Sequence, residues 1–151
     1  MTTKITASTL KVDITETITL GGVDKSSGTL LRIASIGEID NRIMSVTDSS
    51  GGTLIFGVAT TASGLAHAKG NVKYVRITNL DDANYIILQL TEESSHHWEL
   101  KLEAGKSFVF GDVTSFDDQA DIDNFSATTI TKVIGKANGA ACDIEFYIAS
   151  T

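Results

Sequence analysis

The chain has 151 residues, a formal net charge of −7 and one cysteine. That length suits a single domain burying about 70% of the surface its unfolded chain exposes. The acidic balance lacks the basic footprint on which nucleic-acid binding depends, the lone Cys142 cannot form an internal disulfide, and no apolar run approaches the ~20 residues of a membrane-spanning helix.

Proline is absent, so turns must come from Gly, Asn, Asp and Ser. Abundant Thr and Ile suit half-buried pleated surfaces, and composition and pattern together point to an all-β chain. The opening MTTKITASTL has no apolar core of a secretory signal, which leads to the expectation of synthesis in the cytoplasm. Met1–Ser8 reads as a polar, Thr-rich arm able to dock on another subunit.

From Leu10 to Leu20 the alternation is close to complete. Leu10, Val12, Ile14, Ile18 and Leu20 share one face, opposite Lys11, Asp13, Thr15, Thr17 and Thr19, and only Glu16 interrupts the apolar side. A strand of that length exceeds the usual five or six residues, so a bend or bulge near Asp13–Glu16 is expected. Gly21 through Gly28 reads as a loop. Leu30–Ile33 and Asn41–Val46 read as strands, and Asn41–Phe56 as a hairpin around Asp48–Gly52. Ala59–Gly70 is the least β-like segment and reads as a crossing loop that could hold one helical turn.

Four strands follow: Lys73–Thr78, Tyr85–Leu90, Trp98–Leu102 and Ser107–Phe110. Tyr85–Leu90 is apolar on both faces, Ile86, Leu88 and Leu90 against Tyr85 and Ile87, which calls for cover on both sides. The Ala59–Gly70 loop or another subunit could supply it. Asp112–Ser126 reads as an acidic linker. Thr128–Lys136 and Asp143–Ile148 then read as a hairpin turned by Asn138-Gly139, with Ile144, Phe146 and Ile148 facing in and Tyr147 out.

The candidate chemistry reduces on inspection. Gly105-Lys106-Ser107 mimics the end of a phosphate-binding loop, but Leu100 stands where its first Gly belongs and a strand follows instead of a helix, so a β-turn is expected. His96 and His97 are adjacent on an extended chain and point to opposite faces, poor placing for one metal ion. Asp117, Asp118, Asp121 and Asp123 are suitable oxygen donors for calcium. Their spacing departs from an EF-hand, and a solvated acidic loop is the plainer reading. Asn124-Phe125-Ser126 fits a glycosylation sequon, idle without secretion. Cys142 reads as a small buried hydrophobe. No nucleophile, base and acid occur in a recognisable set, so neither catalytic nor cofactor-binding residues are assigned.

Three stretches carry a resemblance. VDITETITLGG, within Leu10–Gly22, is similar to the E-x-I-T-L-N-G opening of small structural proteins of marine tailed phages, with Gly21 in place of the Asn. KYVRITNLD with ELKLEAGKSFVF resembles the middle of those proteins, and ANGAACDIEFYIAS their last hairpin. The resemblance implies a virion component made in the host cytoplasm, such as a capsid decoration subunit or a tail or fibre subunit.

These readings converge on a single antiparallel β-sandwich of jelly-roll type with about eight to ten strands. The expected role is non-enzymatic: a capsid decoration or cement protein that self-associates, as a trimer for example, and binds the major capsid protein. Tyr85, Ile87 and Tyr147 are the candidate interface residues. A carbohydrate-binding sandwich is the alternative from another class, and it would need exposed coplanar aromatics.

Overall fold

A computed structural model describes residues 6–59, 64–93, 96–116 and 127–151. The described residues contain no helix. In chain order the strands are β1 (Ser8–Glu16), β2 (Thr19–Leu20), β3 (Val23–Asp24), β4 (Ser27–Ile36), β5 (Glu38–Val46), β6 (Thr53–Ala59) and β7 (Ala66–Ala68). They continue with β8 (Val72–Asn79), β9 (Ile86–Glu92), β10 (His97–Leu102), β11 (Ser107–Phe110), β12 (Ile130–Ala137) and β13 (Cys142–Ser150).

Two sheets make a sandwich. One has the order β11-β8-β13-β5, the other β10-β9-β12-β6-β7. All pairs within them are antiparallel except β6 with β7. Setting aside β7, the eight strands follow jelly-roll connectivity. The steps β5 to β6, β8 to β9, β10 to β11 and β12 to β13 each cross between sheets, and β9–β10 is the one sequential hairpin of the eight. Alternation fills the space between the sheets. Val75, Ile77, Ile144, Phe146 and Ile148 from one side meet Ile55, Phe56, Ile86, Leu88, Leu90 and Val133 from the other, all buried. At roughly 1.5–3 kcal/mol for each side chain removed from water, this layer is the main stabilising term.

Several expectations are corrected by this topology. Asn41–Phe56 is not a hairpin, because β5 pairs with β13 while β6 pairs with β12. Asn138-Gly139 likewise turns the chain between sheets, joining β12 to β13, which do not pair with each other. Local turn chemistry is satisfied either way, with Gly139 at φ +89, so the turn signal cannot say whether the next strand pairs or crosses. The segment Ala59–Gly70 holds no helical turn among its described residues. Its described residues contribute β7 to the far edge of the five-stranded sheet, away from Tyr85–Leu90, and do not cover that strand. In the expected linker, Val113 is fully buried and accepts the Ile130 N–H at 2.8 Å, while Phe116 bridges to Thr128.

The largest departure lies at the start of the chain. Among the described residues, β1 and β4 pair only with each other, as do β2 and β3. Both ladders share one register, from Leu10↔Ile33 through Val12↔Leu31, Ile14↔Thr29 and Glu16↔Ser27 to Leu20↔Val23. Gly21 and Gly22, at φ +58 and +79, close it as a two-residue turn of the primed type, which needs positive φ at both central positions. The stretch expected to be a loop, Gly21 through Gly28, is therefore the turn of a long ribbon and the start of its returning strand. The expected break falls just after Glu16, where Ile18 N–H donates to Ser26 Oγ at 3.2 Å.

The ribbon is rooted on the sandwich and then leaves it. Ile36, Tyr74 and Ala149 form a second small core, with Leu10, Val12, Ile33 and Tyr147 packed against it. Tyr74 and Ala149 sit on the outer face of the four-stranded sheet, so the root covers part of that face. Ser35 stands in the left-handed region at φ +62, an uncommon conformation for a residue with a side chain, where the chain passes between ribbon and sheet. From Val12 to Leu20 the ribbon runs about 25 Å at 3.3 Å per residue.

Candidate interaction surfaces

Alternation gives the ribbon two unlike faces. Lys11, Asp13, Thr15 and Arg32 lie on one, with Leu30 among them. The other continues the root's apolar side as Ile14, Leu31, Ile18, Leu20 and Val23. Among the described residues nothing covers that stripe: Ile14 is 46% exposed, Leu31 45%, Ile18 50%, Leu20 66% and Val23 53%. A two-stranded ribbon is marginal in water by itself. Together these five side chains expose the equivalent of about two and a half whole aliphatic residues, a latent association energy of roughly 4–8 kcal/mol at 1.5–3 kcal/mol each. Contiguous exposed apolar surface of this kind marks a contact site.

The outer face of the four-stranded sheet is the second surface. Tyr147 lies there, half-buried, its ring edge-to-face on Tyr74 with centroids 6.1 Å apart. Ile39 pairs with Ala149 and Ile43 with Glu145 on the same side of the sheet. They are 45% and 67% exposed. A groove of about 230 Å³ runs between the ribbon root and this face, lined by Leu10, Ile36, Ile39 and Tyr147 among others.

Tyr85 and Ile87 lie elsewhere, on the outer face of the five-stranded sheet. Ile87 pairs with Lys101 and Lys136 and is half-buried among polar neighbours, beside a shallow hollow of about 340 Å³ with Gln89, Glu99 and Ile134. Lys101 Nζ stands 4.1 Å from the Tyr85 ring centroid, a cation–π contact that covers the aromatic face. The structure thus separates the three expected interface residues: Tyr147 occupies one outer surface, Tyr85 and Ile87 the opposite one.

Sequence reasoning missed a charged cleft between the β5 and β7 edges. Asp40 accepts two hydrogen bonds from Arg42, Nε and Nη2 each at 2.6 Å, which raises the guanidinium pKa above its ordinary value. His67 is buried against Phe56, its Nε2 3.6 Å from Asp40 Oδ2. Such a pair could orient a general base, but the described lining residues Glu38, Ile39, Asp40, Arg42, Gly64, Ala66 and His67 include no hydroxyl or thiol for it to activate. The residues lie far apart in sequence, on strands of different sheets, so no spacing could have flagged them.

The other candidates are local. Gly105, at φ +68, lies in a turn closed by Lys106 N–H donating to the Glu103 carbonyl at 3.2 Å. His96 and His97 are exposed at the start of β10, and His96 Nδ1 is 3.3 Å from Glu92 Oε1. Glu92 is itself buried and also accepts from the His96 backbone N–H and Thr128 Oγ1, each at 2.8 Å. Cys142 is fully buried; burial, reinforced by Asp81, pushes its thiol pKa up. Trp98 packs against the core at 5.7 Å from Phe116. Asp117, Asp118, Asp121, Asp123 and the Asn124 sequon lie outside the described residues. Among the described residues there is no group of three or more metal-ligating side chains, and no helix long and apolar enough to cross a membrane.

Comparison with protein-family models, with curated proteins and with solved structures gives no match.

Proposed function

We propose that the chain is a non-enzymatic structural subunit of a virion, with capsid decoration as its role, and that it attaches to neighbouring subunits through the ribbon. The single observation that carries this reading is the uncovered apolar stripe Ile14, Ile18, Leu20, Val23 and Leu31 on a two-stranded element that projects from a closed sandwich. A surface of that kind offers assembly chemistry: it supplies buried area once a partner arrives and positions no reacting group. Two further points support the virion setting. The wording of the ribbon, of β8 to β11 and of β13 resembles small phage structural proteins, and the jelly roll is an architecture used in viral capsids. Architecture alone does not carry function, so the weight rests on the ribbon.

Electron microscopy of assembled phage particles, with the chain located by a fused tag, tests the role. Density repeating over the capsid lattice is the expected result. Density on the tail or fibres would move the subunit to that part of the virion, and failure of the chain to co-sediment with any particle would overturn the reading.

A further inference from the structure

We infer that the ribbon's apolar stripe docks on the outer face of the four-stranded sheet of a second copy of this chain, over Ile39 and Ile43. This rests on the assembly role proposed above and names its partner surface.

Within one chain, that sheet face already receives the ribbon's apolar side, because Leu10, Val12 and Ile33 pack there with Tyr74, Tyr147 and Ala149. Past the root, the stripe continues uncovered as Ile14, Leu31, Ile18, Leu20 and Val23, and the sheet face continues with Ile39 and Ile43 exposed, Asn41 between them and the Arg76–Glu145 ion pair alongside. A donor stripe and a receiving face are thus present on each molecule, and neither is covered by the described residues of its own chain. The groove between Leu10, Ile36, Ile39 and Tyr147 marks the seam at which the incoming ribbon meets the resident one. The ribbon's other face, with Lys11, Asp13, Thr15 and Arg32, remains toward water.

The area agrees with a second copy. Ribbon and face residues together expose the equivalent of about four whole aliphatic residues. If each copy gives one ribbon stripe and one face, that is roughly 650–700 Å² of surface per copy, somewhat below the about 800 Å² per partner of a standard-size complex. The contact joins unlike surfaces, so it builds an exchanged pair, a ring or, where the rotation does not close, an open filament.

Light scattering on the purified chain and its variants provides the test. The wild-type protein is expected to self-associate. Leu20→Glu and Ile43→Glu alter exposed residues, so their melting at concentrations too low for association is expected to match wild type, while each weakens self-association at least about tenfold. Ile87→Glu, on the other outer face, is expected to leave association intact. An equimolar mixture of Leu20→Glu and Ile43→Glu keeps one sound ribbon and one sound face, and is expected to recover a mixed dimer. A monomeric wild type overturns the inference. So does loss of association in Leu20→Glu alone, which would mean ribbon pairing with ribbon, or loss in Ile87→Glu alone. Co-sedimentation with particles separates this contact from the virion role. Self-association without particle binding removes the role and leaves the contact standing. A monomer that binds particles until Leu20 is replaced overturns the contact and leaves the role.

Discussion

Tyr74 and Tyr147 meet edge to face with centroids 6.1 Å apart, on neighbouring strands β8 and β13, beneath the root of the ribbon. Their contact converts the outer face of a sheet into a small second core, since Leu10, Val12, Ile33 and Ile36 close over it. Edge-to-face pairs add about 0.5–1.5 kcal/mol beyond their buried area, so Tyr147→Ala is expected to cost about 2 kcal/mol in urea unfolding. It should also expose Lys11, Lys25 and Arg32 to faster cleavage by trypsin, while cleavage sites within the sandwich stay protected. Uniform acceleration at all sites would mean that the ribbon root is not a separate unit.

Glu92 is a carboxylate with its side chain fully buried, and it ties the segment after β9 to Thr128 ahead of β12. A hydrogen bond contributes about 0.5–1.5 kcal/mol, and a buried donor left unsatisfied costs about 1–3 kcal/mol more. Glu92→Ala is therefore expected to lower stability by about 2–4 kcal/mol, read as a fall in the urea midpoint. Thr128→Val, which removes one of the donors, should account for only part of that loss.

Gly52 tests the sandwich where β6 begins. It sits at φ +69, and a Cβ there would lie 2.6 Å from Ile134 Cγ2 and 2.8 Å from the Gly135 carbonyl oxygen. Backbone strain and the clash act together, so Gly52→Ala should cost about 2–4 kcal/mol. Gly139→Ala carries a similar positive φ in open space and should cost only about 1 kcal/mol. Equal midpoints for the two variants would refute the steric part of this account.

Acid should destabilise the fold in a defined window. Asp81 accepts the backbone N–H groups of Asn84 at 2.6 Å and Ala83 at 2.8 Å. These bonds hold its pKa below the ordinary 3.8. At Asp112 partial burial pushes the pKa upward, but hydrogen bonds from Lys73 and Thr114 outweigh it and the net shift is again downward. A carboxylate whose pKa falls on folding contributes stability above its unfolded value, and that contribution is lost as pH falls through the folded one. Urea midpoints are thus expected to hold from neutrality to about pH 4 and to drop below it. Asp81→Asn should flatten part of that drop, and an unchanged acid slope would count against its role.

Much of this protein was determined by the residues one at a time. Alternation in β8, β10 and β13 and the absence of proline were enough for an all-β chain, and the inward set Ile144, Phe146 and Ile148 is the observed core. The two faces of the ribbon were legible too, because Leu10, Val12, Ile14, Ile18 and Leu20 alternate with polar residues whatever they pack against. What only the tertiary structure decided was where those apolar residues go. Periodicity reports that one side of a strand avoids water; it does not report whether the cover comes from the same chain. Asn41–Phe56 and the Asn138-Gly139 turn show the same limit, since a turn signal cannot distinguish a strand that pairs from one that crosses to the other sheet. The Asp40–His67 approach and the Tyr74–Tyr147 contact depend on strand order, which is fixed by long-range pairing. Leu20, read as one more residue of a half-buried strand, is 66% exposed at the tip of the ribbon, and only the folded chain could place it there.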